Sequence, residues 1–125
     1  MTIAQVSRKY DISADTLRYY ERVGLIPPVG RTAGGIRNYT ERDCGWVEFI
    51  KCMRSAGLQV EALIEYVALF QQGDETAGAR KQILIEQRGK LLRRMEELQR
   101  SLDRLNRKIE RYEQTLAPAE RELRE

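Results

Sequence analysis

Histidine is absent from this 125-residue chain. Without it there is no histidine general base, no histidine-based triad and no histidine metal ligand. Cysteine is nearly absent: Cys44 and Cys52 are the only two. On one helix they would stand about 12 Å apart along the axis, beyond the roughly 7 Å that a disulfide tolerates. No window approaches the roughly 18 consecutive apolar residues of a membrane span. The opening Met1-Thr2-Ile3 lacks the basic and apolar regions of a secretory signal, so a cytoplasmic location is expected and the thiols should be reduced. No glycine-rich phosphate loop follows a strand. With no histidine to activate a cysteine, an enzyme is the least supported class, and neither a catalytic residue nor a cofactor is assigned.

Charge is plentiful, at 33% of residues, but its net value is only +3. Placement says more than size. Residues 1–57 hold nine Lys/Arg against six Asp/Glu, and residues 58–125 hold thirteen against thirteen. The whole excess therefore lies in the first half, where a basic face suits a polyanion.

The first half reads as helix, turn, helix, wing. Thr2 and Gln5 have the spacing of a capping box, with Ile3, Val6 and Tyr10 turned to a core. Asp11-Ile12-Ser13 makes the turn, Ser13 caps a second helix, and Asp15 complements its dipole. Gly24 ends that helix and Pro27-Pro28 prevent its continuation. Val29 to Tyr39 forms a wing that turns at Gly34-Gly35. Thr40 and Asp43 open a third helix running to about Ala56, with Trp46, Phe49, Ile50 and Met53 on one face. A fourth covers about Val60 to Gln72, with Leu63, Ile64, Val67 and Phe70 inward, and Gly73-Asp74 closes it.

From about Thr76 the pattern changes. Leu84, Leu91, Leu98, Leu105 and Tyr112 recur every seven residues, with Met95, Leu102, Ile109 and Leu116 between them. Arg88 is the one polar seam position. This is a coiled-coil repeat, and a helix from Ala79 to Leu116 would be roughly 57 Å long at about 1.5 Å per residue. So long a helix has little of its own chain to bury against, and a second copy is its natural partner. Pro118 is expected to end it. The resulting division is a DNA-binding domain over 1–73, a coiled-coil dimerisation helix over 74–117 and a frayed tail over 118–125.

The motifs IAQVS, DTLRYYERVGLI, GIRNYT and MRSAGL, in this order and at compatible spacing, resemble the MerR family of bacterial transcription regulators. The resemblance covers residues 2 to 71 closely. It implies a mainly α fold, a winged helix-turn-helix followed by an antiparallel dimerisation helix. It also implies a homodimer on double-stranded promoter DNA. The dimer would bend and untwist an over-long spacer, acting on RNA polymerase through promoter geometry and reading sequence partly as deformability. Metal-sensing relatives carry ligand cysteines around and beyond the dimer helix, and this chain has none after Cys52. Drug-sensing relatives append a large ligand-binding domain, whereas nine residues follow Leu116 here. The match is to the short branch that responds to aldehydes and related electrophiles.

The DNA-binding set is then Thr16, Arg18, Tyr19, Tyr20 and Arg22 on the second helix, and Arg31, Arg37 and Tyr39 on the wing. Arginine suits phosphates or guanine edges, and wing contacts position the protein without reading sequence. Tyr20 divides between core and phosphate contact. The dimer seam is Leu91, Met95, Leu98, Leu102, Leu105, Ile109, Tyr112 and Leu116. Cys52 lies beside Lys51 and near Arg54, cations that favour a thiolate. Without the resemblance, a small buried hydrophobe is the commoner fate of a free cysteine. The resemblance makes it the effector-sensing residue and leaves Cys44 structural or secondary. Two other classes fit the same features: an effector-independent architectural factor, and a coiled-coil adaptor that binds protein.

Overall fold

The computed structural model describes residues 1–124. Six α-helices run in order: α1 (Ile3–Tyr10), α2 (Ala14–Val23), α3 (Glu41–Ser55), α4 (Val60–Gln72), α5 (Ala77–Glu110) and α6 (Ala117–Arg124). A 3-10 turn at Asp74–Thr76 leads into α5, and a wider π-helical turn at Tyr112–Leu116 leads into α6. The fold is mainly α. No strand forms among the described residues, and none of their helices is long and apolar enough to cross a membrane.

The helix ends follow from local chemistry. Thr2 and Gln5 exchange both capping hydrogen bonds at α1, and Thr40 and Asp43 do the same at α3. Asp11 takes the left-handed conformation (φ 52°) that turns α1 into α2. Gly24 does so at the end of α2 (φ 85°), where a side chain would be strained.

The chain forms two compact units, Met1–Arg88 and the remainder from Gly89. In the first, Val6, Leu17, Leu25, Ile26, Val47, Ile50 and Leu63 are the heart of the core. Ile83 and Gln87 on α5 are also buried there. Gln87 is tolerated because it is paired. Its Oε1 accepts from Gln59 N–H at 3.2 Å, and its Nε2 donates to Gln59 Oε1 at 3.3 Å.

In the second unit, Met95, Leu98, Leu102, Leu105, Ile109 and Tyr112 are exposed, along with Leu92, while Leu91 and Leu116 are half-buried. Here the structure corrects three expectations. The regular helix ends at Glu110, so Tyr112 and Leu116 lie beyond α5. Pro118 sits in the first turn of α6, so it opens a helix and does not end one. The tail expected to fray is helical over Ala117–Arg124, with Glu125 outside the described residues. A proline has no N–H to donate and its ring clashes with the carbonyl four residues back. The chain therefore widens its turn ahead of Pro118 and restarts where a missing N–H costs nothing.

Candidate nucleic-acid interface and thiol site

Helix α2 has two faces. Leu17 and Tyr20 are buried, whereas Arg18, Tyr19 and Arg22 are exposed and Thr16 is partly so. Ser13 caps the helix, its Oγ accepting from Thr16 N–H at 3.1 Å and lying 2.8 Å from the Thr16 hydroxyl. Arg18 meets Asp15 at 2.9 Å, an exposed pair of little intrinsic strength that a phosphate can displace. The Arg22 guanidinium lies 5.6 Å from the Tyr19 ring centroid. The outer face thus carries two guanidiniums and a phenol, donors without a competing buried role.

The wing returns the chain close to α2. Leu25 N–H and Ile26 N–H both donate to Tyr20 O, and Leu25, Ile26 and Val29 bury themselves. The wing is held by a single antiparallel bridge between Arg31 and Arg37, with the turn closed by Gly35 at φ 82°. Arg31 Nη1 donates to Gly35 O at 3.0 Å and remains exposed. Arg37 is less free, because its Nε donates to Glu21 Oε1 at 2.7 Å. Glu21 Oε2 also accepts from Val29 N–H at 3.1 Å, so one carboxylate on α2 secures both limbs of the wing. Burial raises the Glu21 pKa. The hydrogen bonds from Arg37 and Val29, and the charges of Arg37 and Arg31, more than offset this and leave it below its ordinary value. Sequence reasoning missed Glu21, whose partners lie eight and sixteen residues away.

Two residues of the sequence-derived set lie in the core and not on the exposed face of α2 and the wing. Tyr20 is 8% exposed and Tyr39 only 2%, and the Tyr39 hydroxyl has no hydrogen-bond partner. Burial raises both phenol pKa values. Their apolar rings fill the space under the wing and behind α2, which the exposed residues then overlie. For Tyr39 the expectation of phosphate contact is corrected, because its hydroxyl is enclosed, whereas Tyr20 takes the core half of its divided expectation with its ring.

Helix α3 separates the two cysteines. Cys44 is buried with its Sγ 3.9 Å from Met1 Sδ, Cys52 is exposed, and both are free thiols. Cys52 therefore does not take the buried-hydrophobe role. It opens into a cavity of about 450 Å³ that is also lined by Lys9, Tyr10, Glu48 and Lys51. Lys51 Nζ donates to the backbone carbonyl of Tyr10. Arg54 is turned the other way, its Nη1 donating to Leu58 O at 2.6 Å. The cations around the cavity are thus Lys51 and Lys9, the latter unforeseen because it comes from α1. A separate recess of about 260 Å³ lies among Arg42, Trp46, Phe49 and Tyr66, so the apolar face of α3 is only partly covered.

Known proteins resemble this chain in sequence and fold. The profile described as MerR HTH family regulatory protein matches residues 1–69, and a second, described as MerR, DNA binding, matches residues 45–108. The chain is 61% identical over 92 residues to the HTH-type transcriptional regulator AdhR of Bacillus subtilis (strain 168), a match covering 74% of this chain. It spans only 66% of the length of AdhR, just under two thirds. A crystal structure of a MerR family transcriptional regulator from Listeria monocytogenes superposes with a TM-score of 0.89 at 47% identity, covering 99% of this chain and 94% of that one. The structure of HiNmlR, a MerR family regulator lacking the sensor domain and bound to promoter DNA, gives 0.80 at 32% identity, covering 93% and 92%.

Proposed function

Because the chain belongs to the MerR family of helix-turn-helix regulatory proteins, we propose that it is a homodimeric, promoter-binding transcription regulator whose output switches when an aldehyde or related electrophile modifies Cys52. The observation that carries the DNA-binding part is the outer face of α2. Arg18, Tyr19 and Arg22 stand exposed over a buried Leu17 and Tyr20, with Arg31 on a wing secured to the same helix. Such a helix enters a groove while the wing grips the flanking backbone. HiNmlR, which shares this fold, is bound to promoter DNA, and this supports DNA binding by this chain.

Dimerisation rests on the second unit. Met95, Leu98, Leu102, Leu105 and Ile109 form an exposed apolar row at coiled-coil spacing, which a second copy would cover. The dimer places two α2 helices on two half-sites and distorts the spacer between polymerase elements. The switch rests on Cys52, an exposed thiol in a cavity shared with two lysines. Its sulfur adds to the carbonyl carbon, and the proton passes to the carbonyl oxygen. The added bulk stands between α3 and α1 and biases the packing that sets the DNA geometry. A difference of about 1.4 kcal/mol between the two arrangements suffices for a tenfold change in their ratio.

Operator affinity measured across a salt series tests the interface. Arg18→Ala and Arg31→Ala should each weaken binding to all sequences alike and reduce the salt slope by about one unit. An unchanged slope in both variants would remove these residues from the interface.

A further inference from the structure

Cys52 and Lys9 open into the same cavity from different helices, and we propose that the lasting aldehyde product is a one-carbon bridge between the Cys52 sulfur and Lys9 Nζ, stapling α3 to α1. This rests on the reading of Cys52 as the sensing thiol. Lys9 lies near the end of α1 and Cys52 in the last turns of α3. Two amines are available, and the structure distinguishes them. Lys51 is the immediate helical neighbour of Cys52, and adjacent residues on a helix do not face each other. Its Nζ is also held on the Tyr10 carbonyl. Lys9 is exposed, and its Nζ lies 5.3 Å from the Tyr10 ring centroid, a contact that yields easily at an exposed site. It is the freer amine, and it reaches the cavity from a different helix than Cys52.

The chemistry needs no oxidant. The thiolate attacks the aldehyde carbon, a C–S bond forms, and the carbonyl oxygen takes a proton to give a hemithioacetal. The Lys9 nitrogen, as its neutral amine, then forms a C–N bond to the same carbon as the hydroxyl leaves as water. The proton shed by nitrogen balances the one the departing hydroxyl takes up, carried through solvent or Glu48, which also lines the cavity. Thiol, amine and aldehyde thus become S–CHR–NH plus one water. The bridging carbon carries two protein atoms, so the smallest aldehyde crowds it least, and formaldehyde leaves it two hydrogens. A hemithioacetal on Cys52 alone falls off when free aldehyde is removed, whereas a bridge ties α3 to the helix that packs on α2.

The full chain is first observed by NMR with carbon-13-labelled formaldehyde present, where a hydroxymethyl carbon on the Cys52 sulfur is seen and vanishes in Cys52→Ala, and is then freed of excess reagent, digested and sequenced by tandem mass spectrometry. The expected species joins the Lys9 and Cys52 peptides with the mass of one added carbon atom. It should be lost in Lys9→Gln, which still gains a reversible hydroxymethyl group on Cys52, and retained in Lys51→Gln. A wild-type chain carrying only the hydroxymethyl group, or a bridge to Lys51, overturns the staple and leaves the sensing thiol standing. A Cys52 sulfur that carries no formaldehyde carbon even while the reagent is present overturns the sensing reading, and the staple with it.

Discussion

Glu21→Gln should loosen the wing without removing any exposed basic residue. The carboxylate accepts from Arg37 Nε at 2.7 Å and from Val29 N–H at 3.1 Å. The Arg37 and Glu21 side chains are 23% and 16% exposed, so solvent screens the pair only in part. A glutamine keeps an oxygen for Val29 but forfeits the charge-assisted bond to Arg37, which costs about 1.5–3 kcal/mol. In thermal unfolding this is roughly 5–10 °C for a domain of this size. The pH dependence follows from the depressed pKa of Glu21. A carboxyl held below its unfolded value stabilises the fold above that value, about 4.3, and the contribution fades as pH falls through the folded value. The gap between wild type and variant should therefore be full at neutral pH and close in acid. Urea denaturation followed by circular dichroism checks this at one fixed protein concentration, since dimerisation couples to apparent stability. A gap that persists unchanged into acid, or no gap at neutral pH, would refute the assignment of Glu21 as the charged anchor of the wing.

Tyr39→Phe removes a buried hydroxyl that has no partner. Stability should hold or rise by up to about 1 kcal/mol, and operator affinity should be unchanged. A weaker complex in a binding titration would put the hydroxyl on the DNA after all. Leu105→Glu places a charge in the exposed apolar row, where burial against a second copy would cost about 3–5 kcal/mol without a counter-ion. It should sediment as a monomer and lose tight operator binding. A dimer at micromolar concentration would show that the row is not the seam. Cys52→Ala should bind the operator and fail to respond to aldehyde in a promoter assay, while Cys44→Ala, altering a buried thiol, should still respond. A normal response from Cys52→Ala would remove the thiol mechanism and leave DNA binding intact.

What the sequence determines by itself is everything settled within about one helical turn. The capping pairs Thr2–Gln5 and Thr40–Asp43, the Ser13 cap and the left-handed Gly24 all form where the residue pattern puts them, because each partner is three or four positions away. Order and spacing of motifs likewise carry the family, since a helix-turn-helix and wing are consecutive pieces of chain. Tertiary structure decided what depends on which distant elements meet. Tyr39 looks like a wing contact until the wing folds over it. Glu21 looks like a surface acid until the wing brings Arg37 and Val29 to it. Gln87 is buried because Gln59 lies opposite. The thiol site followed the same rule. Lys51 and Arg54 are close to Cys52 in sequence, yet Arg54 turns to Leu58 while Lys9, forty-three positions away, lines the cavity. Sequence neighbours on a helix point in different directions, and only packing brings a second helix to the same cavity.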